Sequence, residues 1–439
     1  NNGGSNNGGG NNGGSNNGGS NNGGGNNGGS NNGGSNNGGS NNGGNTAEKV
    51  EAVPVVTQGS VQLKPQSNAQ GAVAVQLTAD EIGRALAGAA DTLTVGVAPV
   101  ADTRKISISL PTNALTSSPP AVAFNTGLAE VTFPAAELKR MFGGSDSHAA
   151  LELTVEQIEP ASLPIAAREQ IGSRPVVDLK LTLGGTPVSR FGEEGGNGVQ
   201  VRIPYKLQPG EAAHNVIIYY IANDGTLSVV TNGQFDAATG TVTFDVRHFS
   251  YYAVAYNVAT FDDLAGAPWA QTAIEALAAR GVVEGKGSSL YDPQGSVTRA
   301  EFVTMLVRTY GWQAGSDSGP DFSDVTTGEW YADEVNTAAG LRIVNGRGNG
   351  TFGVNDPITR EEMALLLARA LQLVHGGVSG SSGAAAFGDT AALSAESASA
   401  IASVASAGLI NGFPNGLFEP GEHATRAQAA TVLYRALGK

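Results

Sequence analysis

The chain has 439 residues, no cysteine and a formal net charge of −14 at pH 7. The length allows roughly two to four domains, and the lack of cysteine excludes disulfide bonds and thiolate metal sites. The negative charge disfavours nucleic acid and anionic membrane as partners, and no apolar run approaches the roughly 20 residues of a membrane span.

Residues 1–45 consist of nine pentads of Asn-Asn-Gly-Gly followed by Ser, Gly or Asn. The segment has no apolar side chain to bury, and its glycines lose the most entropy on ordering. We therefore predict a disordered Asn/Gly-rich linker with an r.m.s. span of roughly 35–40 Å. Because a spacer joins two parts, we expect a further domain upstream in a longer protein.

Residues 46–258 contain short alternating apolar runs, which predict an all-β, sandwich-like fold with short helices. The predicted strands are Ala72–Leu77, Leu93–Val97, Ile106–Leu110, Leu151–Val155, Val177–Leu183, Val199–Ile203, Val216–Ile221, Leu227–Val230, Thr241–Val246 and Tyr251–Tyr256. Asn223-Asp224-Gly225 predicts a hairpin turn. One predicted helix follows the capping-box spacing of Thr78 and Glu81, and a second runs from Pro134 to Met141.

Two prolines, Pro160 and Pro164, interrupt the strand pattern near its middle. They suggest a division of this region into two β modules, residues 46–160 and 161–258.

Residues 259–439 contain a helix-loop-helix unit that occurs three times, at 259–315, 320–374 and 385–439. Each repeat opens with Phe-x-Asp, and its closing motif is Thr-Arg-x-Glu or Thr-Arg-x-Gln. The shared landmarks are three aspartates (Asp263, Asp324, Asp389), three glycines (Gly285, Gly346, Gly412), three arginines (Arg299, Arg360, Arg426) and, in two repeats only, a tryptophan (Trp269, Trp330). Such repetition indicates one structural unit used three times.

The closing motif has the spacing of a helix N-terminal capping box. Its arginine lies in the first helical turn, where the helix dipole disfavours a cation by up to about 1 kcal/mol. One explanation is anion binding, because the free N–H groups of a helix N-terminus and a guanidinium both suit a carboxylate or phosphate. The alternative is structural pairing with an acid such as the aspartate after the opening Phe.

These motifs resemble the S-layer homology (SLH) family: Phe-x-Asp, a tryptophan, a glycine-bearing loop and Thr-Arg-Ala-Glu. The resemblance covers about 180 residues and implies an all-α, pseudo-threefold unit of three SLH domains. It also implies that the grooves between domains bind secondary cell-wall polysaccharide, commonly through a pyruvyl ketal, with the three motif arginines as contacts. We count the landmark aspartates, glycines and tryptophans of the same repeats as further candidate polysaccharide-binding residues. Trp269 and Trp330 either stack on sugar or belong to the core.

Three departures from the family pattern predict unequal sites. The second repeat has Arg342 at the position of Gly281, and the third has no tryptophan and has Gln428 in place of the acid. We therefore expect Arg299 to contribute most to binding, and its truncation to alanine to leave stability nearly unchanged.

No histidine lies in a metal-ligand spacing, and no nucleophile elbow or phosphate loop is present. Asp262-Asp263 lacks a recognisable calcium loop. We therefore expect no enzyme activity, metal or cofactor. The predicted function is non-covalent anchoring of a secreted protein to the wall of a Gram-positive bacterium. The alternatives are a self-associating S-layer lattice protein and the anchor of a carbohydrate-active enzyme whose catalytic domain lies upstream.

Overall fold

The computed structural model describes residues 52–65, 71–87, 91–115, 120–143, 149–192, 198–313, 319–376 and 387–438. The linker predicted at 1–45 lies outside this part of the chain. The described residues form strands up to Tyr256 and long helices from Gln271 onward, as the change of sequence pattern near residue 259 predicts.

The first part is a β-rich region of two sheets. Its strands are β1 (Ala52–Thr57), β2 (Ser60–Pro65), β3 (Ala72–Gln76), β4 (Thr92–Val97), β5 (Lys105–Pro111), β6 (Ala121–Asn125), β7 (Glu130–Phe133), β8 (Ala150–Ile158), β9 (Val176–Leu183), β10 (Thr186–Pro187), β11 (Val199–Pro204), β12 (Val216–Ile221), β13 (Leu227–Val230), β14 (Gln234–Asp236), β15 (Thr241–Val246) and β16 (Tyr251–Tyr256). Buried and partly exposed side chains alternate along strands such as β5, as expected for a sheet with one face on a core.

One sheet has the order β1-β2-β4-β6-β7-β11-β15-β14, and the other has the order β13-β12-β16-β9-β8-β5-β3 with β10 beside β9. The pairs β2–β4, β4–β6 and β3–β5 are parallel, and the other neighbours are antiparallel. One hydrophobic core contains residues of both sheets, including Val95 and Val201 of the first and Leu153 of the second. The region is therefore a sandwich.

The division into modules at 46–160 and 161–258 is wrong, because both sheets use strands from both sides of it. β8 pairs with β9 along its whole length, from Leu151 opposite Leu183 to Ile158 opposite Val176. β7 likewise pairs with β11 in the other sheet. Pro160 and Pro164 lie only in the connection between β8 and β9, where Pro160 starts a short 3-10 turn and Pro164 precedes a helix.

Three short α-helices accompany the sandwich in the part of the chain that the structure describes. α1 (Ala79–Leu86) begins at the Thr78 capping box, and α2 (Ala135–Phe142) follows Pro134, so both predicted helices are confirmed. α3 (Ile165–Ile171) was not predicted. The hairpin predicted at Asn223-Asp224-Gly225 is also confirmed, because β12 and β13 pair antiparallel across it.

Within the described residues, each C-terminal repeat contributes two α-helices. They are α4 (Gln271–Ala279) and α5 (Arg299–Tyr310), α6 (Ala332–Gly340) and α7 (Arg360–His375), and α8 (Ala395–Ser406) and α9 (Arg426–Leu437). The second helix of every repeat begins at a complete capping box, with Thr298, Thr359 or Thr425 as the N-cap. Arg342, which replaces glycine, keeps the left-handed conformation of Gly281, with φ of 59° against 69°.

The second helix of each repeat packs mainly on the first helix of another repeat. α5 contacts α6, α7 contacts α8, and α9 contacts α4, so that the third repeat returns to the first. One core cluster extends through all three repeats. No helix of the described residues is both long enough and apolar enough to cross a bilayer.

The sandwich and the first repeat are joined by Arg280, which is only 2% exposed. Its guanidinium donates to the carbonyl oxygens of Gly233 (2.9 Å), His214 (2.8 Å) and Val216 (3.0 Å) in the sandwich, and to that of Ala276 (2.7 Å) in its own helix. Burial lowers the pKa of Arg280 to about 10. This side chain therefore satisfies carbonyl groups on both sides of the contact.

Candidate functional site

The three motif arginines are the first residues of α5, α7 and α9, and each is at most 5% exposed. Each side chain extends into the next repeat, where its Nε donates to a backbone carbonyl and its guanidinium lies over the aromatic ring of the same residue. The partners are Phe352 for Arg299 (3.1 Å to the oxygen, 4.9 Å to the ring centroid), Phe418 for Arg360 (2.8 and 4.7 Å) and Tyr291 for Arg426 (2.9 and 4.5 Å). We call these three contacts the 1–2, 2–3 and 3–1 junctions.

The helix N-termini at these junctions are already satisfied by the neighbouring repeat. The backbone N–H of Arg299 donates to the backbone carbonyl of Asp356, and the backbone N–H of Arg360 donates to that of Glu422. The next N–H groups, of Ala300 and Glu361, also donate to backbone carbonyls across the junction. The third N–H bonds to the capping threonine. The expectation of free N–H groups for an anion is therefore wrong, because the next repeat occupies them.

Two motif arginines also form an ion pair across their junction. The Nη1 atom of Arg299 lies 3.2 Å from Oε1 of Glu362, and the Nη1 atom of Arg426 lies 3.1 Å from Oε1 of Glu301. In both cases the acid is the capping-box residue of the next repeat, whose other oxygen accepts the N-cap N–H. The expected partner, the aspartate after the opening Phe, forms no such ion pair within the described residues.

Arg360 differs from the other two. The corresponding residue of the third repeat is Gln428, whose Oε1 accepts the Thr425 N–H at 3.1 Å and whose other terminal atom is an amide nitrogen. Within the described residues no carboxylate oxygen lies within 4 Å of the Arg360 guanidinium, which donates only to the carbonyls of Phe418 and Asn411 (3.2 Å). Burial lowers its pKa, although Glu419 and Asp389 raise it at longer range.

The residue after the landmark glycine distinguishes the 2–3 junction a second time. In the first two repeats it is a cation: Lys286 pairs with Glu301 at 2.5 Å, and Arg347 pairs with Glu362. In the third repeat it is Phe413, whose ring centroid lies 4.7 Å from the Arg360 guanidinium. The 2–3 junction therefore combines an arginine, an amide and an aromatic face, without the acid and second cation of the other two.

The landmark aspartates fix the loops of their own repeats. Asp324 accepts backbone N–H groups of Phe352 (2.6 Å), Gly353 (2.7 Å) and Val354 (3.2 Å). Asp263 and Asp389 each accept two N–H groups in the same way. Desolvation alone raises the pKa of these carboxyls, but the hydrogen bonds outweigh it and lower the pKa. The geometry gives them a structural role.

The landmark glycines leave room for the opening phenylalanines. A Cβ on Gly285 would lie 2.8 Å from Phe261, one on Gly346 2.5 Å from Phe322, and one on Gly412 2.2 Å from Phe387. Each would also meet a backbone carbonyl at 2.7–2.8 Å. The glycines are therefore required by packing.

Trp269 and Trp330 are 57% and 55% exposed, immediately before α4 and α6. A core position is thereby excluded for both, and their indole faces are accessible for stacking on a sugar. Among the described residues, no group of three or more acidic or histidine side chains is placed to hold a metal ion.

The S-layer homology domain model matches residues 260–303, 321–364 and 386–430. The chain is 36% identical over 239 residues to an amylopullulanase of Thermoanaerobacterium thermosulfurigenes, covering 54% of this chain and 13% of that protein. It is 38% identical over 180 residues to exoglucanase XynX of Acetivibrio thermocellus (41% and 16%). It is 31% identical over 143 residues to the S-layer protein sap of Bacillus anthracis (33% and 17%).

The chain thus spans less than a fifth of the length of each of these relatives. Each family match lies within one of the three repeats and ends inside the helix that begins with the motif arginine. The C-terminal part of this chain therefore consists of three S-layer homology domains.

Proposed function

We propose that this chain anchors a secreted protein to the wall of a Gram-positive bacterium by binding secondary cell-wall polysaccharide non-covalently through its three SLH domains. The cyclic order of the junctions supports a pseudo-threefold arrangement of these domains. The relatives include an amylopullulanase, an exoglucanase and an S-layer protein. The segment that they share with this chain therefore suits an anchor that serves different attached domains. We propose that the described part has no catalytic activity of its own.

Within this function, we infer that the 2–3 junction is the principal anion site. The observation that carries the inference is that, among the residues the structure describes, no carboxylate oxygen lies within 4 Å of the Arg360 guanidinium. At the other two junctions a glutamate of the next repeat pairs with the motif arginine, whereas the third repeat supplies Gln428. A carboxylate of the polysaccharide, such as that of a pyruvyl ketal, would supply the counterion that Glu362 and Glu301 supply at the other two junctions. This reverses the sequence-based expectation that Arg299 contributes most.

Phe413 supports a saccharide at this junction. Its ring and the Arg360 guanidinium are in contact, so an acidic sugar could meet an apolar face and a cation together. The exposed Trp269 and Trp330 would contact more distant sugars of the same polymer.

The test is the Gln428→Glu variant of the full chain, which supplies the missing acid. We expect the affinity for pyruvylated wall polysaccharide to fall by at least about tenfold, because the new carboxylate competes with the ligand for Arg360. A tenfold loss of affinity corresponds to about 1.4 kcal/mol of binding free energy. The matched control is Gln372→Glu, which makes the same charge change on an exposed part of α7. Calorimetry with a soluble polysaccharide fragment measures both.

Equal binding by wild type, Gln428→Glu and Gln372→Glu would refute the 2–3 junction as the anion site. Failure of the wild-type chain to co-sediment with wall sacculi would refute anchoring altogether. Loss of co-sedimentation after extraction of the polysaccharide is the expected result. Assembly of the purified chain into two-dimensional sheets would favour the S-layer alternative.

A further inference from the structure

Asp245 of β15 carries a carboxylate that the proposed function does not use. The residue lines two adjoining cavities, of about 380 and 210 Å³, between the sandwich and the SLH domains. Its backbone pairs with the side chain of Asn232, but within the described residues its carboxylate accepts no hydrogen bond and forms no ion pair. The contact between the two parts of the chain therefore contains a carboxylate without a local partner.

The C-terminal ends of three helices lie on the other side of these cavities. Tyr310 is the last residue of α5, Val374 lies in the last turn of α7, and Ala436 and Leu437 end α9. The C-terminal end of a helix carries a partial negative charge, which disfavours an anion nearby. A carboxylate in these surroundings must retain water when it is ionised, whereas its protonated form can be buried at a much lower cost.

Burial raises the pKa of Asp245 to about 6, and the charge of Arg247 opposes this rise. An aspartate in an unfolded chain titrates near pH 4. The folded protein therefore holds this proton more tightly than the unfolded chain does. Ionisation of Asp245 lowers the stability of the folded state progressively between about pH 4 and about pH 6, and the full loss is present above about pH 6.

The other charged and titratable groups on the described walls do not produce a change of this sign. Three arginines keep their charge throughout this range; they are Arg190, Arg247 and Arg308. Burial and the charge of Arg190 lower the pKa of His248, so acidification places a charge on a half-buried imidazole and weakens the contact. Tyrosine hydroxyls are neutral below about pH 8, and the wall residues from α7 and α9 carry no charge.

We propose that Asp245 makes the contact between the sandwich and the SLH domains sensitive to pH, so that the contact tightens when the carboxylate is protonated and loosens when it is ionised. Acidification of the medium would thereby stiffen the connection between the SLH domains and the sandwich. The proposal does not depend on polysaccharide binding, since none of the three motif arginines lines these cavities.

Trp312 reports on this contact, because it lines the larger cavity and is only 6% exposed. The chain has three tryptophans, so replacing Trp269 and Trp330 by phenylalanine in the full chain leaves Trp312 as the only indole. Acrylamide quenching of its fluorescence is measured from about pH 4.5 to about pH 7.5. We expect the quenching constant to rise roughly two- to fivefold with a midpoint near pH 6, and Asp245→Asn in the same background to abolish the rise.

Thermal unfolding gives a second readout. Asp245→Asn should melt roughly 3–8 °C above wild type at about pH 7.5 and within about 2 °C of it at about pH 4, because only wild type acquires the buried charge. The matched control is Asp236→Asn on the neighbouring strand β14. The exposed Asp236 carboxylate accepts hydrogen bonds from the Ala238 N–H (2.8 Å) and the Thr239 hydroxyl (2.9 Å), which lower its pKa. Asp236→Asn should therefore melt at or below the wild-type temperature at neutral pH.

A quenching constant of Trp312 that does not change with pH would overturn the proposal. A rise of the same size in Asp245→Asn would also overturn it, as would a lower melting temperature of Asp245→Asn than of wild type at neutral pH. A pH dependence that disappears in His248→Gln would assign the titration to His248 instead. Polysaccharide binding by Asp245→Asn should equal that of wild type, so this proposal and the anchoring function can fail separately.

Discussion

Truncation of Arg426 to alanine tests whether the motif arginines hold the SLH domains together. At the 3–1 junction its guanidinium donates to the carbonyls of Tyr291 (2.9 Å) and Glu284 (2.8 Å) and to the carboxylate of Glu301 (3.1 Å). Hydrogen bonds to charged groups contribute about 1.5–3 kcal/mol each, and breaking a buried pair costs about 3–5 kcal/mol. Glu301 would retain Lys286, which places the expected loss at roughly 2–4 kcal/mol.

Thermal unfolding followed by circular dichroism or calorimetry measures this loss. For a unit of about 180 residues, the size of the three SLH domains together, 1 kcal/mol shifts the melting temperature by about 2–4 °C. The Arg426→Ala variant should therefore melt roughly 5–15 °C lower than wild type. Lys286→Ala is the matched control: it removes the other cation on Glu301, but its side chain is 49% exposed, and surface pairs contribute at most about 1 kcal/mol. If Arg426→Ala melts within about 2 °C of wild type, the junction contacts do not stabilise the repeats.

Two further substitutions test the packing of the repeats. Gly412→Ala should destabilise the third SLH domain by roughly 1–3 kcal/mol in a denaturant titration, because the new Cβ would lie 2.2 Å from Phe387. Its control is Gly421→Ala, which should leave the free energy of unfolding unchanged because the space around its Cβ is open. Arg342→Gly should raise the free energy of unfolding by about 1 kcal/mol, because it relieves a left-handed backbone at φ of 59°; unchanged stability would show that Arg342 contributes a compensating contact.

Sequence patterns predicted the elements whose signals are local. The capping boxes at Thr298, Thr359 and Thr425 need only four consecutive residues, and all three are formed. Strands such as β12 and β15 were located correctly. The strands β1, β2, β6, β7, β10 and β14 were missed. Short runs carry little periodicity, and β1 and β2 each contain a proline, which argues against a strand.

Long-range contacts could not be read from the same patterns. The partner carbonyls of the motif arginines lie 53, 58 and 135 residues away in the chain, and a repeat pattern does not state which repeat packs on which. The division of the sandwich at Pro160 failed for a related reason. The prolines mark the end of one strand pattern, but they do not show whether the strands before and after them, β8 and β9, pair with each other.

The position of a cation in the first turn of three helices is explained by the neighbouring repeat. The helix dipole opposes the charge by up to about 1 kcal/mol, but a carbonyl oxygen and an aromatic ring of the next domain lie on each arginine. A glutamate that already caps the next helix then serves as counterion at two of the three junctions. One atom at the third, the amide nitrogen of Gln428, replaces the carboxylate oxygen that would complete the set. Among the described residues each arginine thus contacts the next domain, and under the proposed function the one without a carboxylate partner, Arg360, presents its buried charge to an acidic ligand. Under the proposed function, Gln428, the capping residue of the third repeat, is therefore what selects the 2–3 junction of this chain for an anion.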